Sequence, residues 1–359
     1  MIETEKRPVS SMTICEIAKV FNVSPMTVSN ALNNKPGVAR GKAELIREYA
    51  AKVGYQPSYL ARSLQNGRSR TVGLCLREMP SDPWSGMLIQ KIQARLYEND
   101  LYLNTIVTPS AGLSEMEQMK REKWALDFFA GIKTGAVLIG PLDMARFSSL
   151  SDALRKHCHV IAFDSLDTLP ITHLRLDLAE GCRLAISLLQ ENGHRSIGYI
   201  GRNWFEEKCP SENTRYCRIR QLARQAGMKF CLEWSISAEN SKDELSALIA
   251  SGHPLPSAFF CHSDNFALLA IKVFSEHGLR VPQDISIIGF DDQPVAQLAT
   301  PDITSIGFDL DAYVDHLVRF VLDAVENPGR NRENGPMSYL AAPRLMMRHS
   351  VGSSCCRCR

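Results

Sequence analysis

A short polar surface near the amino terminus carries the side chains best suited to hydrogen bonding with nucleic-acid bases. The run from Ser24 to Asn33 reads as a helix on which Val28, Ala31 and Leu32 point one way. The other face is small or polar and lacks carboxylates: Pro25, Met26, Ser29, Asn30 and Asn33. The polar side chains can form hydrogen bonds with base edges, and the absence of carboxylates avoids repulsion by the phosphates. This pattern therefore predicts a recognition helix for the major groove of DNA.

A preceding helix and a tight turn are expected to position this surface. Apolar residues recur at i, i+3, i+4 and i+7 in the preceding segment: Ile14, Ile17, Ala18 and Phe21. Thr13 followed by Glu16 is a capping box, which predicts where that helix begins. Asn22 begins the turn, and Ser24 with Pro25 predicts the start of the second helix. An ordinary αα-hairpin in a helical core shares this pattern and stays an alternative.

Charge and a third helix favour the DNA-binding interpretation. Residues 1–70 hold 11 Lys+Arg against 5 Asp+Glu, whereas the other 289 residues hold 30 against 34. A basic end on a mildly acidic body is typical of proteins that bind a polyanion at one end. A third apolar stripe comprises Leu45, Ile46, Tyr49, Ala50 and Val53, and Gly54 ends it. The three helices predict a compact headpiece.

The segment after the headpiece is too short for an independent helix. Pro57 gives an extended entry, and residues 59–64 offer under two turns before Asn66 and Gly67 stop the helix. Nucleation costs more free energy than so few hydrogen bonds return, so we expect disorder unless binding orders the segment. A plain interdomain linker is the alternative.

The remainder of the chain alternates strand-like runs with amphipathic helices. The candidate strands are residues 71–76, 101–108, 134–140, 159–164, 196–201, 256–262 and 284–290. Apolar strands separated by helices predict parallel sheets covered on both faces. Such sheets bind ligands beyond the carboxyl ends of their strands. Asp164 and Asp264 fall at strand ends, and Arg215 lies near the start of a helix after a long loop.

The segments TICEIAKVFNVSPMTVSNALNNKPGV and GYQPSYLARSLQNGRSRTVGL resemble the start of the lactose-repressor family of bacterial transcription regulators, and the similarity continues to about residue 350. The resemblance implies an all-α helix-turn-helix headpiece plus an α/β body, with two doubly wound parallel-sheet subdomains of the periplasmic-binding-protein type. The implied boundaries are 1–57 for the headpiece, 58–69 for the hinge, 70–350 for the effector-binding and dimerisation domain, and 351–359 for a tail. Within the body, one subdomain takes about 70–165 and 308–333, the other about 166–305 and 335–350.

The resemblance also implies which residues meet DNA. We expect these contacts from Thr13, Ile14, Ser24, Pro25, Met26, Thr27, Ser29, Asn30, Asn33, Ser58, Ala61 and Leu64. In the family, a leucine from each of two hinge helices enters the minor groove and kinks the DNA; Leu64 matches it. Asn30 stands where many relatives have Arg, which shifts the expected base from guanine to adenine. Ala39 and Gly41 replace the usual residues at the start of the third helix, so that start should be loose.

For the effector, the resemblance implies a cleft between the subdomains lined by Trp84, Asp164, Arg215 and Asp264. Carboxylates accept two sugar hydroxyls and a guanidinium donates to oxygens, so a carbohydrate is expected. Trp84, in the loop after the first strand, would stack on the effector ring. The alternatives are helix N-caps for both aspartates, a surface charge for Arg215 and core packing for Trp84. Trp204, Phe205 and Trp234 could line the cleft, although core packing is expected. A purine or nucleoside is the alternative effector.

Other function classes lack support in the sequence. No segment reaches 18 apolar residues and no hydrophobic signal region begins the chain, so we expect a cytoplasmic location. Neither a metal nor a cofactor is expected, since no zinc spacing or phosphate loop occurs, and no catalytic arrangement suggests an enzyme. The tail cysteines Cys355, Cys356 and Cys358 are expected to fray. We expect a homodimeric repressor on a palindromic operator, with an activator as the alternative. Two further alternatives are a sugar-processing enzyme with a fused helical domain and a nucleoid-type DNA binder without effector control.

Overall fold

The computed structural model describes residues 12–55, 69–77, 83–108, 113–154, 159–201, 213–237, 241–327 and 335–354. The chain divides into two compact units, Met1–Ser69 and Arg70–Arg359. Within the described residues, no helix combines the length and the apolar character needed to cross a membrane.

The described part of the first unit consists of helices α1 (Ile14–Val20), α2 (Pro25–Leu32) and α3 (Arg40–Lys52). The Thr13 hydroxyl accepts from the Glu16 N–H at 3.3 Å, and the Thr13 N–H donates to the Glu16 carboxylate at 2.6 Å. The Ser24 hydroxyl accepts from the Thr27 N–H at 3.1 Å, and Pro25 occupies the first helical position. The predicted starts of α1 and α2 are thus confirmed. Ala39 provides no side-chain cap to α3, as expected.

The three helices share a small core of Ile17, Ala18, Val28, Ala31, Ala43, Ile46 and Ala50. The prediction that Leu45 belongs to this core is wrong, because its side chain is 57% exposed. Ala43 takes that place. Residues 43, 46 and 50 follow the three- and four-residue helical spacing, whereas Leu45 is rotated by roughly 100° from Ile46.

The second unit contains two lobes built from strands and helices. Its strands are β1 (Thr71–Leu76), β2 (Tyr102–Val107), β3 (Ala136–Gly140), β4 (Val160–Ala162), β5 (Thr172–Leu176), β6 (Ser196–Gly201), β7 (Lys229–Ser237), β8 (Ala258–Cys261), β9 (Ser286–Ile288), β10 (Ser305–Phe308), β11 (Ser338–Ala341) and β12 (Pro343–Met346). Its helices are α4 (Pro83–Glu98), α5 (Glu115–Gly131), α6 (Met144–Leu154), α7 (Leu178–Glu191), α8 (Arg215–Gln225), α9 (Ser241–Ala250), α10 (Asp264–Glu276), α11 (Val295–Leu298) and α12 (Leu310–Glu326). All seven predicted strands are present; β1 and β6 have the predicted ends, and the other five are shorter than predicted.

The first lobe is a parallel sheet in the order β2-β1-β3-β4-β5-β11. Helices α4 and α12 pack on one face with Leu88, Ile92, Leu317 and Val321, and α5 and α6 cover the other. Strand order reverses about β1, and ligands bind at such a reversal beyond the carboxyl ends of the strands.

The second lobe repeats this plan with the parallel order β7-β6-β8-β9, and β10 pairs with β12 as an antiparallel ribbon. The chain passes between the lobes after β5, after β10 and between β11 and β12. The ranges expected for the second subdomain include Thr172–Leu176 and Ser338–Ala341, yet both strands pair within the first sheet. Their pairing is long-range, and short strands with alternating polar residues gave no local sign of the sheet they join.

Candidate nucleic-acid interface and effector site

The outward face of α2 is open to solvent. Ser24, Pro25 and Met26 are exposed, Met26 to 62%, while Thr27, Ser29, Asn30 and Asn33 are partly exposed. Val28 and Ala31 are buried against α1 and α3, as expected. No acidic residue lies on α2. The two faces of this helix therefore differ in the way that a groove-binding helix requires.

Both ends of α2 are held by hydrogen bonds. Ser24 caps the amino end, and the Arg47 guanidinium donates to the Ala31 carbonyl at 3.1 Å and to Asn34 Oδ1 at 2.5 Å at the carboxyl end. The Asn33 amide folds back and donates to the Ser29 carbonyl at 2.8 Å. The Asn30 side chain makes no hydrogen bond to another described residue, so its amide is available to a ligand. Asn30 thus sits on a rigid helix with its polar group unused.

The predicted hinge contacts lie outside the part of the chain that the structure describes. Ser58, Ala61 and Leu64 lie outside the described residues, as do Trp204, Phe205 and the tail cysteines Cys355, Cys356 and Cys358. The remaining predicted DNA contacts, Thr13 and Ile14, lie at the start of α1.

Arg215 is the centre of a polar cluster at the carboxyl edge of the second sheet. It opens α8, after the cap residue Thr214, and is 12% exposed. Its guanidinium forms a bidentate salt bridge with Asp291, at 2.7 and 3.3 Å, and donates to the His262 carbonyl at 2.6 Å. Its Cζ lies 4.2 Å from the centroid of the Phe290 ring. Three groups of the second lobe therefore fix the orientation of this cation.

Asp164 approaches this cation from the first lobe. It follows β4 with a φ of 48°, and its N–H donates to the Tyr313 hydroxyl at 2.8 Å. Burial opposes ionisation of Arg215, but Asp291 and, more weakly, Asp164 outweigh it and raise the pKa of the guanidinium. The structure thus brings the predicted residues Asp164 and Arg215 together.

Asp264 lies beside this cluster but is fully buried at the start of α10. Its carboxylate accepts from the Ser305 hydroxyl and the Gln293 N–H, both at 2.6 Å. Burial raises its pKa to about 7, in spite of these two hydrogen bonds. A Cβ at residue 289 would lie 2.1 Å from Asp264 Oδ1, so Gly289 is required for this position. Its contact with an effector stays a prediction, since both oxygens already accept from protein groups.

Trp84 occupies a different place from the one expected. It lies in the first turn of α4, not in a loop, because Pro83 occupies the first position of that helix. The indole is 6% exposed and packs in the core of the first lobe with Leu88 and Ile92. A ring buried to this extent presents no face to a ligand, which leaves the predicted stacking contact without support. Trp234 is also buried, in the core of the second lobe, as expected.

Sequence reasoning missed two parts of this site. Asp291 and Asp292, both at positive φ, follow β9 after Gly289 and Phe290. They come directly after the predicted strand 284–290, and that position was the available signal. The Asn213 amide donates to the Asp167 carboxylate at 2.7 Å, which joins the second lobe to the first. Neither Asn213 nor Asp167 belongs to a sequence motif, so only the fold could show that they pair.

Two family models match the chain. "Bacterial regulatory proteins, lacI family" matches residues 13–58, and "Periplasmic binding protein-like domain" matches residues 186–351. Among similar proteins, the repressor PurR of Pasteurella multocida (strain Pm70) is 26% identical over 359 residues, covering 95% of this chain and 99% of PurR. The repressor CytR of Escherichia coli (strain K12) is 27% identical, covering 84% and 86%.

Solved structures share the fold. The Lac repressor dimer bound to operator and the anti-inducer ONPF matches with a TM-score of 0.79 and 19% identity, covering 96% of this chain and 100% of the repressor chain. The complex of the transcriptional regulator CelR with cellobiose matches with a TM-score of 0.62 and 22% identity, covering 96% and 100%. The expected fold class, a helical headpiece followed by two parallel-sheet lobes, is confirmed.

Proposed function

The chain belongs to the LacI family of bacterial regulatory proteins, and we propose that it represses transcription as a homodimer on a palindromic operator, under the control of a small effector. The family members are transcription regulators rather than enzymes. The observation that carries the proposal is the solvent-exposed, acid-free face of α2, held by Ser24 and Arg47. We place the protein in the cytoplasm, where its DNA target lies.

On DNA, α2 enters the major groove and reads base edges with Asn30. The supporting contacts come from Thr13, Ile14, Ser24, Pro25, Met26, Thr27, Ser29 and Asn33. We assign residues 1–57 to this headpiece and 58–69 to a hinge, in which Ser58, Ala61 and Leu64 meet the minor groove. Because so short a helix is unstable alone, DNA binding and hinge ordering depend on each other. Two copies related by two-fold symmetry then read the two halves of a palindrome.

The effector binds between the lobes, against Asp164 and Arg215, with Asp264 behind them. A carbohydrate fits this chemistry, since carboxylates accept from hydroxyls while the guanidinium donates to oxygens. Arg215 is already oriented by Asp291, and a bound ligand that also contacts Asp164 would bias the rotation of one lobe against the other. That rotation changes the spacing of the two hinges and hence the affinity for DNA, a coupling between two sites.

A stacked aromatic pair supports homodimerisation. Trp124 and Phe128, on α5, are 61% and 44% exposed, with ring centroids 5.8 Å apart and an interplanar angle of 28°. Met116, two turns before Trp124 on the same face, is 64% exposed. Exposed apolar clusters of this kind are typical of surfaces that a partner covers. We assign this face to the second copy of the chain; the structurally similar Lac repressor is a dimer.

The proposal is tested in two steps with the full-length protein. Selection from a random duplex library should yield a palindromic sequence bound at least 1,000-fold more tightly than random DNA, as is typical of specific regulators. Binding to the selected duplex is then titrated with a panel of sugars and nucleosides. A change in affinity with a sugar supports the proposed effector class, and a change only with a nucleoside replaces it. If the selection yields no sequence, the proposed repressor function is wrong. If neither sugars nor nucleosides change the affinity for the selected duplex, the protein is a DNA binder without effector control.

A further inference from the structure

A small cavity lies where the chain crosses between the lobes. Its volume is about 110 Å³, and its polar lining consists of Arg175, Asp177, Asn213 and Arg218. The rest of the lining is leucine and alanine. The cavity does not include Asp164, Arg215 or Asp264, so it is separate from the proposed effector contacts.

Two arginines line this cavity, one from each lobe. Arg175 lies on β5 of the first lobe, in register with Leu340 of the edge strand β11. It makes no hydrogen bond or ion pair with any other described residue. Arg218, on α8 of the second lobe, donates to the neutral side chains of Asn213 and Gln221, the latter at 3.2 Å. Among the described residues, no carboxylate lies within ion-pairing distance of either guanidinium.

The acids nearby are already engaged. Asp177 caps α7, and its carboxylate accepts from the Glu180 N–H at 3.0 Å. Asp167 accepts from the Asn213 amide, whose oxygen in turn accepts from Arg218. Two partly buried cations therefore share a cavity with one acid that is committed to a helix cap. An arginine in such a place repels its neighbour unless an anion lies between them, because screening by water is reduced there.

We propose that this cavity binds a small oxyanion, a phosphate or phosphoryl group, between Arg175 and Arg218. Guanidiniums donate paired hydrogen bonds to phosphate oxygens, and Asn213 stands beside Arg218. The volume is well below the roughly 300–1,000 Å³ of sites for drug-sized ligands and suits a single anionic group. Because the two arginines belong to different lobes, the anion holds the lobes in the present arrangement.

Anion binding itself does not depend on the proposed repressor function; only its regulatory consequence does. The anion has two possible sources, free phosphate in the cell or a phosphoryl group carried by the effector. In either case, phosphate biases the same rotation that the proposed effector controls.

The test uses inorganic phosphate with full-length protein, titrated by thermal shift against chloride at equal ionic strength. We expect a saturable rise in Tm for the unaltered protein and at least a tenfold weaker apparent affinity in Arg175→Gln and Arg218→Gln. Arg224→Gln, an exposed arginine on the same helix as Arg218, should behave like the unaltered protein. Urea midpoints in chloride show whether each variant folds, and Arg218→Lys, which keeps the charge without the fork, should fall between. A linear, non-saturable rise, or equal saturation in all variants, would overturn the proposal.

A second arm distinguishes the two sources. Glucose 6-phosphate is compared with glucose and with phosphate, in the unaltered protein and in Arg215→Lys. If the phosphoryl group belongs to the effector, the sugar phosphate binds more tightly than phosphate and loses affinity in both Arg215→Lys and Arg218→Gln. If the anion is free, only Arg175→Gln and Arg218→Gln lose affinity for phosphate. Failure to select a DNA sequence would remove the repressor function without changing this titration.

Discussion

Arg215 and Asp291 form a bidentate salt bridge at 2.7 and 3.3 Å, with side chains only 12% and 6% exposed. The two residues are 76 positions apart in the chain, and both lie at the carboxyl edge of the second sheet. Asp291 fixes the guanidinium over Phe290, so the donors of Arg215 are oriented before any ligand arrives. This preorganisation is what a binding site gains from a buried ion pair.

Replacing Asp291 with Asn should destabilise the second unit by about 3–5 kcal/mol, because the buried Arg215 charge loses its partner. Urea unfolding followed by circular dichroism measures the change. Asp100→Asn, which breaks the exposed pair between Arg70 and Asp100, is the matched control and should cost under about 1 kcal/mol. Equal midpoints for the two variants would show that the buried pair contributes no more than a surface pair.

The carboxyl of Asp264 should make stability depend on pH. Its pKa is raised from 3.8 to about 7 by burial, so the folded protein binds this proton more tightly than the unfolded chain does. The free energy of unfolding should therefore fall as pH rises from about 4 to about 7, by up to about 4 kcal/mol at 1.36 kcal/mol per pKa unit.

Asp264→Asn keeps the shape and removes the titration, since the amide oxygen can still accept from Gln293 and the amide can donate to Ser305. We expect this variant to be less stable than or equal to the unaltered protein at pH 4.5 and more stable at pH 7.5. Subtracting the two urea profiles removes the contributions of other groups, including His173 and His194, whose pKa values are lowered by burial. A pH-independent difference would mean that Asp264 does not titrate in this range.

Asn30 should determine preference for adenine at one operator position. Its amide is unpaired among the described residues, on a capped helix, and Asn pairs with the N6 and N7 edge of adenine. Asn30→Ala should lose about 1–3 kcal/mol of discrimination at one position of each half-site, measured by competition between selected duplexes. Glu48→Gln, an exposed change on α3, should retain the preference. If Asn30→Ala discriminates between bases at this position as well as the unaltered protein does, another residue recognises the base.

Trp124→Glu should convert the dimer into monomers at micromolar concentration, because a charge would enter the proposed interface next to Phe128. Sedimentation equilibrium measures the dissociation constant, for which we expect at least a tenfold increase. Tyr97→Glu, on α4 and 71% exposed, is the control for an exposed aromatic outside this face. A dimer constant that is the same in both variants would place the interface elsewhere.

Local rules predicted the headpiece well. The capping box of Thr13 and Glu16 and the cap at Ser24 depend on residues three positions apart, so their geometry follows from helical spacing alone. Leu45 shows where such reasoning fails: its hydrophobicity suggested burial, but its rotation around α3 places it in solvent. The first sheet also took in strands that no local signal assigned to it.

The amino-acid sequence alone determined the helix-turn-helix pattern, the approximate positions of seven strands and the acid-free face of α2, because each is encoded in residues close together in the chain. Only the tertiary structure decided which charges meet. The fold pairs Asp291 with Arg215 and buries Asp264 against Gly289. It also packs Trp84 in the core of the first lobe and places Arg175 and Arg218 at the same cavity. Such pairings depend on the register of distant strands, and the free energy of a buried charge depends on the neighbours that the fold brings to it.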